Sequence, residues 1–212
     1  IMTYKKIISY IDASNESEED IKKLAIHYDN TGADEILICN YSSDEASKEM
    51  LLKLTRELTR EVDIPIILGL YINRLEDVKK ALYTGAHKVV FNRSFIKDIT
   101  VIKEAADRFG KDKLIVELEY NEGFKNGLFS ELRESVSLFL IKQAALTEPV
   151  KQLIGDLSLP VLICDSLSDH DIYELMSMES VTGVVTDYFA CTRKTHGFAP
   201  TDKDIMDAKI HL

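Results

Sequence analysis

The stretch from Ile64 to Asn92, IPIILGLYINRLEDVKKALYTGAHKVVFN, contains the alternation of elements that decides the fold. It opens on a short apolar run, Ile64 to Leu68, and apolar residues then recur at helical spacing between Leu75 and Leu82. Gly85 ends the predicted helix, and a second apolar run, Val89 to Phe91, follows. Strand, helix and strand in this order form one βαβ unit. Because both strands are apolar on both faces, they are typical of a parallel sheet covered by helices.

The same alternation continues along the chain and predicts eight strands, each followed by a helix or a reduced helix. Strict alternation over 212 residues predicts an α/β fold and favours one closed (β/α)8 TIM barrel over an open sheet. We expect a single domain over residues 1–212, ending in a helix from Thr201 to Lys209. The predicted strands are Lys6 to Ile11, Glu35 to Cys39, Ile64 to Leu68, Val89 to Phe91, Lys113 to Leu118, Val136 to Ile141, Leu159 to Cys164 and Gly183 to Thr186.

Composition excludes several classes of protein. With 45% apolar residues the chain can bury a full core, but its apolar runs are too short to span a bilayer. The formal net charge of −10 argues against nucleic acid and anionic membranes as partners, because neutralising phosphates requires clustered Lys and Arg. No basic and apolar leader precedes the first strand, so no signal peptide is expected.

The cysteines indicate a cytoplasmic location. Cys39, Cys164 and Cys191 are odd in number and widely spaced, which is typical of a reducing compartment and of a chain without disulfides. Cys39 and Cys164 are expected as free thiols near the carboxyl ends of the second and seventh strands. The histidines are scattered singly, and no Cys or His spacing resembles a zinc site. Neither a metal nor another cofactor is expected.

Two acidic residues follow strands that lie on opposite sides of an eight-stranded barrel. Asp12 ends the first predicted strand and Glu119 ends the fifth. In barrels of this kind the active site lies at the carboxyl ends of the strands. Two carboxylates facing each other there can divide the roles of general acid and general base. The alternative is that both are solvated acids of the kind that strand ends often carry.

A phosphate site is predicted at the ends of the third and fourth strands. Gly69 lets backbone N–H groups approach an anion, and Asn92 and Arg93 supply further donors. The matching ends of the seventh and eighth strands carry Asp165 and Asp187, which repel a phosphate. We therefore expect one anion site instead of two.

These features resemble the histidine-biosynthesis barrels. The resemblance runs from about Ile7 to Phe189 and is clearest in GADEILIC, in IPIILG with EDVKKALYTGAHKVVFN, and in ADRFGKDKLIVELE. The family includes the cyclase subunit of imidazole glycerol phosphate synthase and the aminoimidazole carboxamide ribotide isomerase, which are barrels of the ribulose-phosphate-binding type. The resemblance implies that Asp12 and Glu119 are general acid and base, with Glu119 standing where the family has aspartate.

The chain departs from the family at its turns, as a shortened and diverged member would. The family has a glycine-rich turn after the third strand, where this chain has Gly69-Leu70-Tyr71. After the seventh strand the family has a serine-glycine-glycine turn, where this chain has Cys164-Asp165-Ser166. The loop after the sixth strand is shortened, from Lys142 to Glu148, and Asn40 stands at a position that is acidic in the family. A barrel lacking one phosphate cradle is expected to hold a two-phosphate substrate poorly.

A closer resemblance is to the N-terminal barrel-like segment of multifunctional bacterial chains that continue into phosphoribosyl-AMP cyclohydrolase and phosphoribosyl-ATP pyrophosphatase domains. The end at Leu212, just after a predicted helix, is expected of a domain excised from such a chain.

Three hypotheses follow. The first is a diverged barrel with weak or no catalysis that binds a phosphorylated ligand. The second is an active cyclase or isomerase using Asp12 and Glu119. The third is a scaffold that docks downstream domains or a second copy.

Overall fold

Eight parallel strands close into one barrel, in the order in which they occur along the chain. The computed structural model describes residues 5–92, 99–119, 131–142, 147–156, 159–164 and 174–186. The closed ring confirms the predicted (β/α)8 fold. The strands are β1 (Lys6–Asp12), β2 (Glu35–Asn40), β3 (Ile66–Leu70), β4 (Lys88–Asn92), β5 (Leu114–Glu119), β6 (Leu138–Lys142), β7 (Val161–Cys164) and β8 (Val181–Thr186).

Helices of the described residues follow the strands. They are α1 (Glu18–Asn30), α2 (Glu45–Leu58), α3 (Leu75–Leu82), α4 (Thr100–Phe109) and α5 (Glu148–Asp156). The start of α1 is as predicted, because the Ser17 hydroxyl accepts a hydrogen bond from the backbone N–H of Asp20. The helix predicted from Thr201 to Lys209 lies outside the described residues. Among the helices of the described ranges, none has the length and apolar content to cross a bilayer.

The buried core has two layers. The outer layer joins the strands to the helices and contains residues such as Ile36, Leu51 and Phe91. The inner layer, which we call the barrel interior, is formed by side chains that point toward the barrel axis. Its members are Ile8, Leu37, Cys39, Ile67, Val90, Ile115, Leu140, Leu162, Cys164 and Val185.

Helices α2 and α3 are joined by a buried ion pair. The ammonium of Lys48 lies 3.4 Å from the carboxylate of Asp77, and both side chains are almost fully buried. The other oxygen of Asp77 accepts a hydrogen bond from the backbone N–H of Asn73, in the turn that follows β3. This contact fixes the turn between β3 and α3 at the carboxyl end of the barrel.

Ring closure brings β8 against β1 at Gly183, which pairs with Lys6. A Cβ added to Gly183 would lie 2.7 Å from the carbonyl oxygen of Lys6 and 3.1 Å from the Leu162 side chain. The first of these contacts is with backbone, which cannot move without disturbing the ladder. Glycine at this position is therefore a requirement of the closed ring.

We expect Gly183→Ala to lower the free energy of unfolding by about 3 kcal/mol, the upper part of the range for overpacked cores. Urea denaturation followed by circular dichroism measures this change. Gly155→Ala is the matched control, because Gly155 lies in α5 with no atom within 4 Å of an added Cβ. The control should be neutral or stabilising, since alanine is the better helix former. Equal stability of the two variants would contradict the role given to Gly183.

Candidate functional site

The carboxyl ends of the eight strands form the mouth of the barrel, the face on which barrels of this class place their sites. Alternate residues of a strand point to the same face, so members of the barrel interior identify the inward positions. In β1 the interior member is Ile8, which places Tyr10 and Asp12 on the same face. Tyr10 packs against the barrel interior, and Asp12 ends β1 half-buried at the mouth.

The turn after β1 orients the carboxylate of Asp12. Its Oδ1 accepts hydrogen bonds from the backbone N–H and the hydroxyl of Ser14, at 3.0 and 2.5 Å. Its Oδ2 accepts a hydrogen bond from Nδ2 of Asn15 at 2.7 Å. Asp12 therefore ends β1 at the mouth, as predicted. A carboxyl group held in a fixed orientation there can accept a proton in its ionised form and donate one in its protonated form.

Glu119, the second predicted acid–base residue, is the last residue of β5. Strands β1 and β5 lie on opposite sides of the ring, so the two strand ends face each other across the mouth. The side chain of Glu119 lies outside the described part of the chain, as do Arg93, Asp165 and Asp187. The roles assigned to these residues stay predictions.

A further carboxyl group, that of Glu117, lies inside the barrel, and the sequence analysis did not predict it as a site residue. Its Oε2 accepts a hydrogen bond from the hydroxyl of Tyr41 at 2.9 Å, and its Oε1 accepts one from Nδ2 of Asn92 at 3.2 Å. Glu117 is only 4% exposed. We call Tyr41, Asn92 and Glu117 the interior carboxyl network. It connects the ends of β2, β4 and β5 just below the mouth.

The sequence does contain a signal for Glu117. In the strand LIVELE, residues 114–119, a charged residue interrupts an otherwise apolar run at a position two residues after Ile115. Ile115 belongs to the barrel interior, so strand alternation places Glu117 there as well. A buried carboxyl group requires hydrogen-bond donors, which the polar residues at neighbouring strand ends supply.

Asn92 was predicted to bind phosphate and ends β4 as expected. Its amide donates to the carboxyl group of Glu117, and the phosphate-binding role of Asn92 stays a prediction. The charge of Glu117 is also among the causes that raise the pKa of Tyr41, after burial and the neighbouring Cys39.

Burial dominates the titration of the other groups in this region. It raises the pKa of Tyr10, with further contributions from Cys39 and Asp12. It also raises the pKa of the Cys39 thiol, with Glu117 as the next cause. Tyr10 and Cys39 are therefore protonated at neutral pH and do not serve as bases there.

Gly69 was predicted to end the third strand and to bring backbone N–H groups to an anion. It lies inside β3, which continues to Leu70, and it pairs with both Cys39 and Val90. A Cβ on Gly69 would lie 2.4 Å from Sγ of Cys39 and 2.8 Å from the hydroxyl oxygen of Tyr41. Packing of these two side chains accounts for glycine at this position, and the phosphate-binding role stays a prediction.

Cys39 and Cys164 both lie near the carboxyl ends of their strands, as predicted. Their side chains are buried in the barrel interior. Among the residues that the structure describes, no three His, Cys, Asp or Glu side chains are grouped so that they could hold a metal ion.

The closed ring of eight parallel strands, with the Asp12 carboxylate at its mouth, defines the protein as a (β/α)8 barrel. Residues 9–154 match the family described as histidine biosynthesis protein. This match covers more than half of the chain, and the chain belongs to that family.

The curated relatives are named as subunits of imidazole glycerol phosphate synthase. The chain is similar to imidazole glycerol phosphate synthase subunit HisF of Exiguobacterium sp., with 33% identity over 108 residues, 51% of this chain and 42% of the relative. It is also similar to the HisF subunits of Dictyoglomus thermophilum (32% over 100 residues, 47% of this chain and 40% of the relative) and Sulfurisphaera tokodaii (28% over 130 residues, 56% and 52%). The matched region thus covers between two fifths and about half of the length of these relatives.

If Gly69 is required by packing, Gly69→Ala should lower the free energy of unfolding by roughly 1–3 kcal/mol. The double variant Gly69→Ala with Cys39→Ala removes the closest clash, so its loss should be smaller than the sum of the two single losses. Urea denaturation of the three variants measures the coupling. A stable Gly69→Ala protein that has lost phosphate binding would instead favour the anion role.

We expect three free thiols per chain when the protein is denatured without reductant and titrated with Ellman's reagent. In the folded protein Cys39 should react slowly, because burial raises its pKa and leaves little thiolate at neutral pH. Mass spectrometry of peptides after alkylation identifies the labelled residue. Rapid alkylation of Cys39 at pH 7, or fewer than three thiols on denaturation, would show this description to be wrong.

Proposed function

We propose that this protein is a diverged histidine-biosynthesis barrel of the cytoplasm that binds a phosphorylated small molecule at its mouth and has weak or no catalysis of its own. Its proposed setting is a multifunctional chain with phosphoribosyl-AMP cyclohydrolase and phosphoribosyl-ATP pyrophosphatase domains. Downstream domains of that chain, or a second copy of the barrel, are its proposed partners. The family membership supports the pathway.

The observation that carries the proposal of weak catalysis is the interior carboxyl network. Two polar groups that could otherwise face a ligand, the Tyr41 hydroxyl and the Asn92 amide, donate to Glu117 below the mouth. The Tyr41 hydroxyl also fills the space beside Gly69. Catalysis by a barrel requires groups that hold the reacting ends of the substrate, and well-oriented groups contribute up to roughly 7–11 kcal/mol. Where the side chains of the mouth bind one another, fewer groups remain to orient the substrate, and their contribution to catalysis is smaller.

One observation favours the alternative, an active cyclase or isomerase. The Asp12 carboxylate is at the mouth in a fixed orientation, and the strand that ends in Glu119 lies opposite. The relatives are named as subunits of imidazole glycerol phosphate synthase. In this alternative Asp12 and Glu119 exchange protons with the substrate, a contribution of about 10²–10⁴-fold.

Steady-state assays distinguish a barrel with weak or no catalysis from an active cyclase or isomerase. The substrates are ammonia with the ribulosyl intermediate, and the isomerase substrate. We expect a kcat far below the enzyme median of about 10 s⁻¹. Asp12→Asn should leave this low rate unchanged, as should the control Asp107→Asn on the exposed surface of α4. A wild-type rate near the median that Asp12→Asn abolishes and Asp107→Asn does not would establish the alternative.

A further inference from the structure

A lysine stands at the carboxyl end of β6, on the inner face of the barrel. Lys142 is the last residue of β6, and Leu140, two residues earlier, belongs to the barrel interior. Its Cα pairs with that of Cys164, whose side chain is also in the barrel interior. Directly paired residues of neighbouring strands point to the same face. The Lys142 side chain is therefore on the inner side of the mouth, where it is exposed to solvent.

Lys142 is a strand lysine without an ion pair among the side chains that the structure describes, which do not include that of Glu119, its paired residue in β5. The other strand lysines are engaged at the opposite end of the strands: Lys6 pairs with the carboxylate of Glu35, and Lys88 donates to the backbone carbonyl of Asp112. The ammonium of Lys142 nevertheless acts on the barrel interior, because it lowers the pKa of the Cys39 thiol against the larger effect of burial. The exposed ammonium of Lys142, on the inner side of the mouth, can therefore contact a ligand bound there.

The other described sectors of the mouth are unfavourable to an anion. Asp12 places a carboxylate at the end of β1. Asn92 at the end of β4 is joined to the carboxyl group of Glu117, and Gly69 is covered by Cys39 and Tyr41. The Asp12 carboxylate repels a negative charge, the Asn92 amide already donates to Glu117, and packing fills the space beside Gly69. Among the described strand ends, the end of β6 offers an inward cation.

We propose that Lys142 binds the phosphate group of the ligand, so that the anion subsite of this barrel lies at the end of β6. This inference rests on the proposed function, in which the mouth takes a phosphorylated small molecule. It places the phosphate away from Gly69 and Asn92. Because Lys142 pairs with Glu119 across the β5–β6 ladder, the bound phosphate lies next to the strand end that carries the predicted acid–base residue.

Isothermal titration calorimetry with ribose 5-phosphate, and with ribose and inorganic phosphate as reference ligands, tests the proposal. Lys142→Gln should weaken binding of ribose 5-phosphate roughly ten- to a hundredfold, the effect of losing one charge-assisted contact. Lys142→Arg keeps the charge and should retain most of the affinity. Lys53→Gln, which removes a charge from the exposed surface of α2, is the matched control and should bind as wild type.

The outcomes separate this inference from the proposed function. If wild type binds and Lys142→Gln binds equally well, the subsite is elsewhere, and the phosphorylated-ligand function stands. If Asn92→Ala loses affinity and Lys142→Gln does not, the anion binds at the site predicted from the sequence, beside Asn92, and the Lys142 subsite is wrong. If wild type binds neither ribose 5-phosphate nor inorganic phosphate at millimolar concentration, both proposals fail. Equal melting temperatures of the Lys142 variants and wild type confirm that the fold is intact.

Discussion

Closure of the parallel ladder between β8 and β1 is the constraint on which the remaining structure depends. Once the ring is closed, each strand has a fixed set of inward residues, and those residues must fill a space of fixed size. The Tyr41 side chain is accommodated because the position beside it is Gly69, and Gly183 leaves space for the Leu162 side chain. Large and small residues thus alternate around the axis, as expected of a filled barrel.

Filling the interior in this way determines which polar groups remain at the mouth. A carboxyl group at Glu117 loses most of its hydration and is stabilised by donors from two other strands, Tyr41 and Asn92. Donors that satisfy a buried carboxyl group are held in place by it, because removing them leaves that group unpaired. The hydrogen bonds that satisfy the buried carboxyl group therefore also fix the orientation of polar groups at the ends of β2 and β4.

The fold could be predicted from the sequence because its signals are local and repeated. Alternating apolar runs and amphipathic segments define βα units, and the cap at Ser17 fixes the start of α1. The position of Asp12 followed from the end of β1. Gly69 was misplaced because a glycine after an apolar run is compatible both with a strand end and with a close approach inside a strand. Only the packing of Cys39 and Tyr41 against it distinguishes the two.

The interior carboxyl network escaped prediction for a different reason. Its members are separated along the chain, since Tyr41, Asn92 and Glu117 follow or belong to three strands, and their contact depends on the stagger of the ladder. Stagger is a property of the closed ring and is not encoded in any single strand. The same stagger brings Lys142 beside Cys164 and Glu119. A family barrel can therefore keep its core while single inward substitutions near the strand ends redistribute charge around the mouth, and such redistribution changes which ligand the mouth accepts before it changes the fold.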